Sequence, residues 1–334
     1  MIWWLALVLT SVLSVALSAG VRPLLNRFHV VDVPNDRSSH SETTPRGGGL
    51  ALLAIMILTG IIWLILGAKP PLVGWIIAGA SLLGGLGLLE DMTGLSISLR
   101  LTSQAVIALL LSTGIVETMC ISWILLAPLA ACGVFLVNAA NFMDGVNGIS
   151  SLHGVILGGT TVAVAIFAQS PPLAVIGAVA TGLFLGFLPW NFPRARIFLG
   201  DSGSYLLGAL AWLLGCWTWR ITGSILVGAA PVTIYATDVV LTLIRRARRG
   251  KNLAEAHRDH TYQAVQRATG SHMIPAIGAS VMTASVCAAS ILAWQIGQPL
   301  VGWVAALILC VVYQALGLWV GYRRTVGHQT PSPS

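Results

Sequence analysis

The sequence has little charge and lacks any cysteine framework. Only 9% of its 334 residues are Asp, Glu, Lys or Arg, whereas 56% are hydrophobic. Because the surface of a globular protein needs roughly a quarter of its residues to be charged, this composition excludes a soluble globular protein. Disorder is excluded by the same numbers. The five cysteines are scattered through apolar runs without a Cys-x-x-Cys spacing, which indicates packing residues rather than disulfides.

The abundant apolar residues form long segments. A membrane-spanning helix needs about 20 such residues, and eleven segments approach that length. We therefore predict an all-α, polytopic integral membrane bundle of about 11 transmembrane helices, with one domain over residues 1–320 and a tail over 321–334. We expect the first segment to be retained, because neither a basic stretch nor a small-residue cleavage site accompanies it. The segments are 1–21, 48–67, 72–90, 101–116, 119–137, 152–169, 173–190, 204–219, 222–244, 274–294 and 299–320.

The basic residues predict the orientation. When the connections between segments are assigned alternately to two sides, sixteen Arg and Lys residues fall on one side and only Lys69 and Arg220 on the other. The positive-inside rule makes the first side cytoplasmic, with a periplasmic N-terminus and a cytoplasmic C-terminus. The net charge of +7 then belongs to one membrane face, so nucleic-acid binding is not indicated.

Acidic residues gather on the same side, although they were not used to assign it. Of the eleven, only Glu117 falls on the opposite side. Polar groups collected at one membrane face favour an enzyme whose site is open to the cytosol. The alternative is a transporter or flippase of a lipid or sugar nucleotide, which would place polar groups near the bilayer midplane. Asp238, inside the ninth segment, is the acid that comes nearest to such a position.

Glu90 and Asp91 form the first candidate motif, at the end of the segment 72–90. Adjacent carboxylates repel each other, so a bound cation or nearby basic groups would keep both ionised. The alternative is an ordinary solvated helix end.

The second motif repeats polar residues at every third position. Asn138, Asn141, Asp144 and Asn147 recur in this way, so we expect neighbouring members to share a face of a helical turn. Such a row offers oxygen ligands and hydrogen-bond partners. The alternative, an Asn/Gly-rich turn, fits four polar residues in register poorly.

The third motif is Gly200-Asp201-Ser202-Gly203, just before the eighth segment. The acid could be a simple helix N-cap. It could instead bind a hard cation, with phosphate near free backbone N–H groups. The Walker A lysine is missing, so the motif is not a P-loop.

The fourth motif is His257-Arg258-Asp259-His260, which follows a basic run at 245–251. The run itself is typical of the cytoplasmic anchor of a membrane helix. The two histidines could ligate a metal, but hard cations prefer oxygen, so contact with phosphate or nucleotide is the better functional interpretation.

Together the motifs resemble the polyprenyl-phosphate N-acetylhexosamine-1-phosphate transferases. That family includes the enzymes initiating O-antigen, enterobacterial common antigen and teichoic acid linkage units, and the phospho-MurNAc-pentapeptide translocases. The matches cover residues 20–265 or so. They are Asp32-x-Pro34-Asn35-x-Arg37-x-x-His40, Pro45-x-Gly47-Gly48-Gly49, Glu90-Asp91, Asn138-x-x-Asn141-x-x-Asp144-Gly145-x-Asn147-Gly148, Phe198-x-Gly200-Asp201-x-Gly203-Ser204 and His257-x-x-His260.

The resemblance implies transfer of an N-acetylated sugar 1-phosphate from a UDP-sugar to undecaprenyl phosphate, with release of UMP and a requirement for Mg²⁺ or Mn²⁺. It implies that Asp201 and Asn141 hold the metal, and that Asp91 and Glu90 lie beside the acceptor phosphate, one of them accepting its proton. The residues implied in substrate binding are Asp144, Asn147, Asn138, Arg100, His257, Arg258, His260 and His40.

Two departures from the family pattern bear on these roles. Many relatives carry Asp-Asp where this chain has Glu90-Asp91, and many carry a denser histidine run after His260. The second departure favours the O-antigen-initiating branch over the peptidoglycan translocases. The sequence leaves the sugar undecided, because sugar choice depends on a few contacts in the cytoplasmic loops. A homodimer is also undecided, because the 36 glycines are too widely spread to mark one helix interface.

Overall fold

The structure, a computed structural model, describes residues 2–28, 30–32, 43–67, 69–253, 255 and 257–327. A two-stranded antiparallel ribbon joins β1 (Val31–Asp32) to β2 (Thr44–Pro45). Almost all of the other described residues are helical. The helices are α1 Trp3–Arg27, α2 Gly49–Ile65, α3 Pro71–Thr93, α4 Ile97–Met119, α5 Leu126–Met143, α6 Ile149–Phe167, α7 Pro171–Asn191, α8 Gly200–Thr222, α9 Ile225–Ala229, α10 Thr233–Arg248, α11 Thr261–Thr269, α12 Met273–Gln295 and α13 Pro299–Gly327.

The eleven predicted apolar segments fall mainly within helices, and the ninth, 222–244, runs from the end of α8 through α9 into α10. These helices confirm a multi-pass membrane bundle. Within the described ranges, nine helices are long and apolar enough to cross a membrane. Two predicted spans differ from these nine. Helix α2 has only 17 residues, and α8 is long enough but less apolar. The count of eleven and the orientation of the termini stay predictions.

Helix α8 lacks the apolarity of a span because it lies inside the bundle. Nearly all of its residues are buried, and it packs against α2, α3 and α5. Small residues permit this close packing: a Cβ at Gly208 would lie 2.5 Å from the Cα of Val137 on α5. A helix covered by protein needs no lipid-facing surface, so it tolerates Asp201 at its start and Arg220 near its end.

The outer helices carry the lipid-facing side chains. Exposed large apolar residues are abundant on α13, for example Leu307 and Val311, and most of α1 is likewise unburied. A second core joins α10, α11, α12 and α13 to the end of α5. Helix α13 continues past residue 320, the predicted end of the domain, to Gly327.

Candidate active site

The N-terminus of α8 is capped by a carboxylate from another helix. Its N-cap position is Leu199, an apolar side chain that cannot accept a hydrogen bond. Asp91, near the end of α3, accepts instead: its Oδ1 from the Asp201 N–H at 2.9 Å, and its Oδ2 from the Ser202 N–H at 2.9 Å. The carboxylate satisfies two otherwise unpaired N–H groups and opposes the helix dipole. These two N–H groups are therefore not free for phosphate, which corrects one interpretation of the Gly200-Asp201-Ser202 motif.

Glycines bring the three helix ends within reach of one another. A Cβ at Gly87 on α3 would overlap the backbone carbonyl of Asp201, and a Cβ at Gly49 on α2 would overlap the backbone of Gly203. The N–H of Gly49 also donates to the carbonyl of Leu199 at 2.8 Å. Backbone contact between α2, α3 and α8 therefore fixes the spacing of the polar side chains that these helix ends carry.

Arg46 lies at this junction and was not singled out by the sequence. Its Nε lies 3.1 Å from Asp91 Oδ1 and its Nη2 lies 2.9 Å from Asp201 Oδ2. Its backbone forms a β-bridge with Phe198, immediately before α8. Burial lowers the pKa of the Arg46 guanidinium, but the charges of Asp201 and Asp91 outweigh burial and raise the pKa overall. Arg46 is thus a permanent cation shared by two carboxylates.

Asn141 completes the group. Its Nδ2 donates to Asp201 Oδ1 at 2.6 Å and to Ser204 Oγ at 3.2 Å. The structure thus brings together Asp91, Asn141 and Asp201, which are far apart in the sequence. Their roles as catalytic residue and metal ligands stay predictions.

The predicted row of period three is only partly helical. Helix α5 ends at Met143, so Asn138 and Asn141 lie on the helix while Asp144 and Asn147 lie in the connection to α6. The expectation that neighbouring members share a helical turn therefore fits Asn138 and Asn141, but not Asp144 and Asn147. Asn138 is held by the fold itself, because its Nδ2 donates to Gln104 Oε1 at 2.6 Å and to the Val134 carbonyl at 2.8 Å.

The connection after α5 packs against the one before α8. Asn147 Nδ2 donates to the Pro193 carbonyl at 3.3 Å, and the Gly148 N–H donates to Asn191 Oδ1 at 2.8 Å. Asn191, at the end of α7, escaped the sequence analysis because it belongs to no recognisable motif. The Asp144 side chain is partly buried; burial raises its pKa to about 7, and the charge of Asp201 acts in the same direction. Asp144 therefore changes charge near neutral pH.

Glu90 and Asp91 are adjacent but have different partners. Glu90 Oε2 accepts from the Leu95 N–H at 2.9 Å, and its Oε1 lies 3.4 Å from Arg100 Nη1. Glu90 thus stabilises the short connection between α3 and α4, whereas Asp91 faces α8. The predicted repulsion between the two acids is relieved by separate basic and N–H partners.

His260 is buried and belongs to a hydrogen-bonded cluster around Asp238. Asp238 Oδ1 lies 3.3 Å from His260 Nδ1 and accepts from the Thr261 N–H at 2.9 Å. Its Oδ2 accepts from the Tyr262 N–H at 3.3 Å and from the Tyr313 hydroxyl at 2.9 Å. Asp238 thus joins α10, α11 and α13, which gives this acid a structural explanation.

His257 packs on this cluster and close to the end of α5. Its ring centre lies 4.9 Å from that of His260 and 6.4 Å from that of Phe142. Burial, together with the neighbouring His260 and Arg246 side chains, lowers the pKa of His257 to about 4, so this imidazole is neutral at pH 7. The Tyr262 hydroxyl donates to the Phe142 carbonyl at 2.8 Å and fixes the cluster against α5.

The remaining predicted substrate residues are less constrained. The side chain of Arg258 is partly buried, and its backbone carbonyl accepts a hydrogen bond from Arg267. His40 lies outside the described residues. Substrate binding by both stays a prediction.

Replacing Asp238 by Asn tests the structural role of the cluster. An amide cannot accept from all the donors around Asp238, so we expect Asp238→Asn to lower the free energy of unfolding by about 3 kcal/mol. The unfolding temperature in detergent would measure the loss. Glu117→Gln, an exposed acid, is the control and should change stability by less than about 0.5 kcal/mol. An unchanged unfolding temperature in Asp238→Asn would contradict the assignment.

Comparison with known proteins identifies the kind of enzyme. The sequence pattern of Glycosyl transferase family 4 matches residues 73–218. The chain is 30% identical to the decaprenyl-phosphate N-acetylglucosaminephosphotransferase of Mycobacterium leprae, over 75% of this chain and 73% of that protein. The chain belongs to the polyprenyl-phosphate N-acetylhexosamine-1-phosphate transferase family. It is therefore a phospho-sugar transferase, as the motifs predicted.

Two further relatives represent different members of this transferase family. The chain is 27% identical to the probable undecaprenyl-phosphate N-acetylglucosaminyl 1-phosphate transferase of Bacillus subtilis, over 75% of each protein. It is 30% identical to the phospho-N-acetylmuramoyl-pentapeptide-transferase of Corynebacterium jeikeium, over 63% of this chain and 74% of that protein. The O-antigen branch therefore stays a prediction.

Proposed function

We propose that this transferase moves N-acetylglucosamine 1-phosphate, or a closely related N-acetylated sugar 1-phosphate, from a UDP-sugar to undecaprenyl phosphate. An acceptor phosphate oxygen attacks the phosphorus next to the sugar, the bond to the bridging diphosphate oxygen breaks, and UMP leaves with that oxygen. The observation that carries this proposal is the convergence of Asp91, Asn141, Asp201 and Arg46 at one end of a membrane bundle. There an aqueous donor and a lipid acceptor can meet.

The donor atoms around Asp201 suit Mg²⁺ or Mn²⁺. Among the described residues no cluster of three or more His, Cys, Asp or Glu side chains could hold a metal ion. Mg²⁺ is commonly bound through one or two protein oxygens, with substrate phosphates and water supplying the rest. Asp201 with the amide oxygen of Asn141 fits that requirement. When bound, the ion would neutralise charge on the diphosphate and on the departing UMP.

Asp91 is better suited to positioning than to proton transfer. Its side chain has no exposed surface, and its oxygens already accept from two N–H groups and from Arg46. A phosphomonoester has a second pKa of about 6 and is mostly dianionic at neutral pH, so the acceptor needs no strong base. We therefore assign Asp91 to holding the start of α8, and hence Asp201, in place.

The site suits the cytoplasmic face of a bacterial inner membrane. Sixteen of eighteen basic residues are predicted on the side that carries it, and nucleotide sugars are made in the cytosol. The product would initiate a lipid-linked glycan, and the O-antigen is one such polymer.

Lipid product formation tests the function. Purified protein with undecaprenyl phosphate, UDP-[¹⁴C]GlcNAc and Mg²⁺ should yield butanol-extractable label and an equal amount of UMP. EDTA should abolish both and added Mg²⁺ should restore them, because the donor diphosphate would then lose and regain its counter-ion. Transport of the sugar nucleotide without a new lipid would favour the transporter alternative. Activity after thorough chelation would reject metal assistance.

A panel of UDP-sugars refines the substrate. With undecaprenyl phosphate as acceptor, the mass of the extracted lipid identifies which sugar phosphate is transferred. We expect N-acetylglucosamine to be accepted, because the names of several relatives specify it.

A further inference from the structure

Both carboxylate oxygens of Asp201 are engaged within the protein. Oδ1 accepts from Asn141 Nδ2 at 2.6 Å, and Oδ2 lies 2.9 Å from Arg46 Nη2. A divalent cation that approaches Asp201 therefore meets a guanidinium already paired with Oδ2, and the positive charge of that guanidinium opposes its binding. The same guanidinium also lies 3.1 Å from Asp91, so Arg46 neutralises two carboxylates at once.

Arg46 is the partner with a path to solvent. Its side chain is 41% exposed, whereas that of Asp201 is 11% exposed and that of Asp91 is fully buried. Asn141 is held by a second hydrogen bond, to Ser204. The backbone of Arg46 is fixed by its bridge to Phe198, so a displaced guanidinium stays tethered beside the site.

We propose that Arg46 is an internal counter-ion that competes with the divalent cation for Asp201, so that cation loading requires the guanidinium to leave Oδ2. This inference rests on the metal-assisted transfer proposed above. In the absence of the cation, Arg46 keeps the two carboxylates from repelling each other. Once released, its planar set of N–H donors suits the phosphates of the incoming donor. Replacement of the Arg46 guanidinium by the divalent cation at Asp201 thus couples metal loading to binding of the sugar-nucleotide donor.

Direct measurement of Mn²⁺ binding tests the competition. Titration of purified protein followed by electron paramagnetic resonance reports free Mn²⁺ and needs no turnover. A neighbouring arginine shifts the affinity of a carboxylate for a proton by at least about tenfold, so we expect Arg46→Gln to tighten Mn²⁺ binding on the order of tenfold. Arg248→Gln, an exposed arginine at the end of α10, removes the same charge elsewhere and should leave the affinity unchanged.

Arg46→Lys keeps the test decisive if Arg46→Gln does not fold. The compact ammonium of lysine does not form the planar bridge to two carboxylates. We therefore expect Mn²⁺ to bind Arg46→Lys about threefold more tightly than it binds wild type. Wild-type or weaker affinity in the folded Arg46 variants would overturn the proposal. Equal tightening in Arg248→Gln would also overturn it, because a general change in surface charge would then explain the effect.

The wild-type transfer assay separates this inference from the proposed function. Tighter Mn²⁺ binding in the Arg46 variants without any lipid product from wild type would support competition and reject the transfer. Normal metal-dependent transfer with unchanged Mn²⁺ affinity in the variants would reject competition and leave the transfer standing.

Discussion

Asp201→Asn is expected to reduce the initial rate of lipid product formation by at least about a thousandfold while leaving the protein folded. The carboxylate of Asp201 is more exposed than that of Asp91. It lies beside Asn141, whose amide oxygen completes the proposed ligand set. An amide of the same shape keeps the packing but loses the charge that a divalent cation requires.

The assay measures radiolabelled lipid from purified protein at saturating substrates, with the unfolding temperature recorded in the same detergent. Glu117→Gln removes an exposed acid of α4 that makes none of the contacts described for the site, and this variant should retain normal turnover. Near-normal turnover by Asp201→Asn would reject its assignment as a metal ligand.

Asp91→Asn is expected to lower both stability and rate. The amide can accept from only one of the two α8 N–H groups, and its own N–H₂ would face the other donor or Arg46. Loss of a helix cap and of a buried ionic partner should cost about 2 kcal/mol of unfolding free energy. We expect the rate to fall at least about a hundredfold, because a misplaced Asp201 degrades the alignment of the reacting groups.

The pH dependence distinguishes positioning from proton transfer. If Asp91 only holds α8, raising the pH from 6 to 8.5 should not rescue Asp91→Asn, because the defect is geometric. If Asp91 accepts the proton of the acceptor phosphate, its loss affects only the monoanionic acceptor, so the rate of Asp91→Asn relative to wild type should rise about twofold as the acceptor goes from half to fully dianionic. Such a rescue, with an unchanged unfolding temperature, would contradict the positioning role.

The bundle and the meeting of its polar helix ends could be predicted from the sequence. Long apolar segments define membrane helices with little ambiguity, and alternating connections put the end of α3, the end of α5 and the start of α8 on one side. Asp91, Asn141 and Asp201 therefore fall on one side in the sequence, and the structure brings them into contact.

Other parts of the site depend on contacts that no local pattern reveals. Arg46 occupies an unassigned position in a glycine motif, and its partners Asp91 and Asp201 come from helices much later in the chain. Asp238 similarly collects donors from α11 and α13. The period of three from Asn138 to Asn147 predicts that neighbouring members share a helical turn, but spacing alone does not indicate that the helix stops at Met143.

The enclosed position of α8 has a consequence for how the protein is made. A segment that is less apolar than the nine candidate spans is expected to partition less readily from the translocon into lipid on its own. Helices α2, α3 and α5 supply the protein surroundings that the bilayer does not, and all three are synthesised before α8. Membrane insertion of the central helix, and with it assembly of the transfer site, therefore depends on helices that have already left the ribosome.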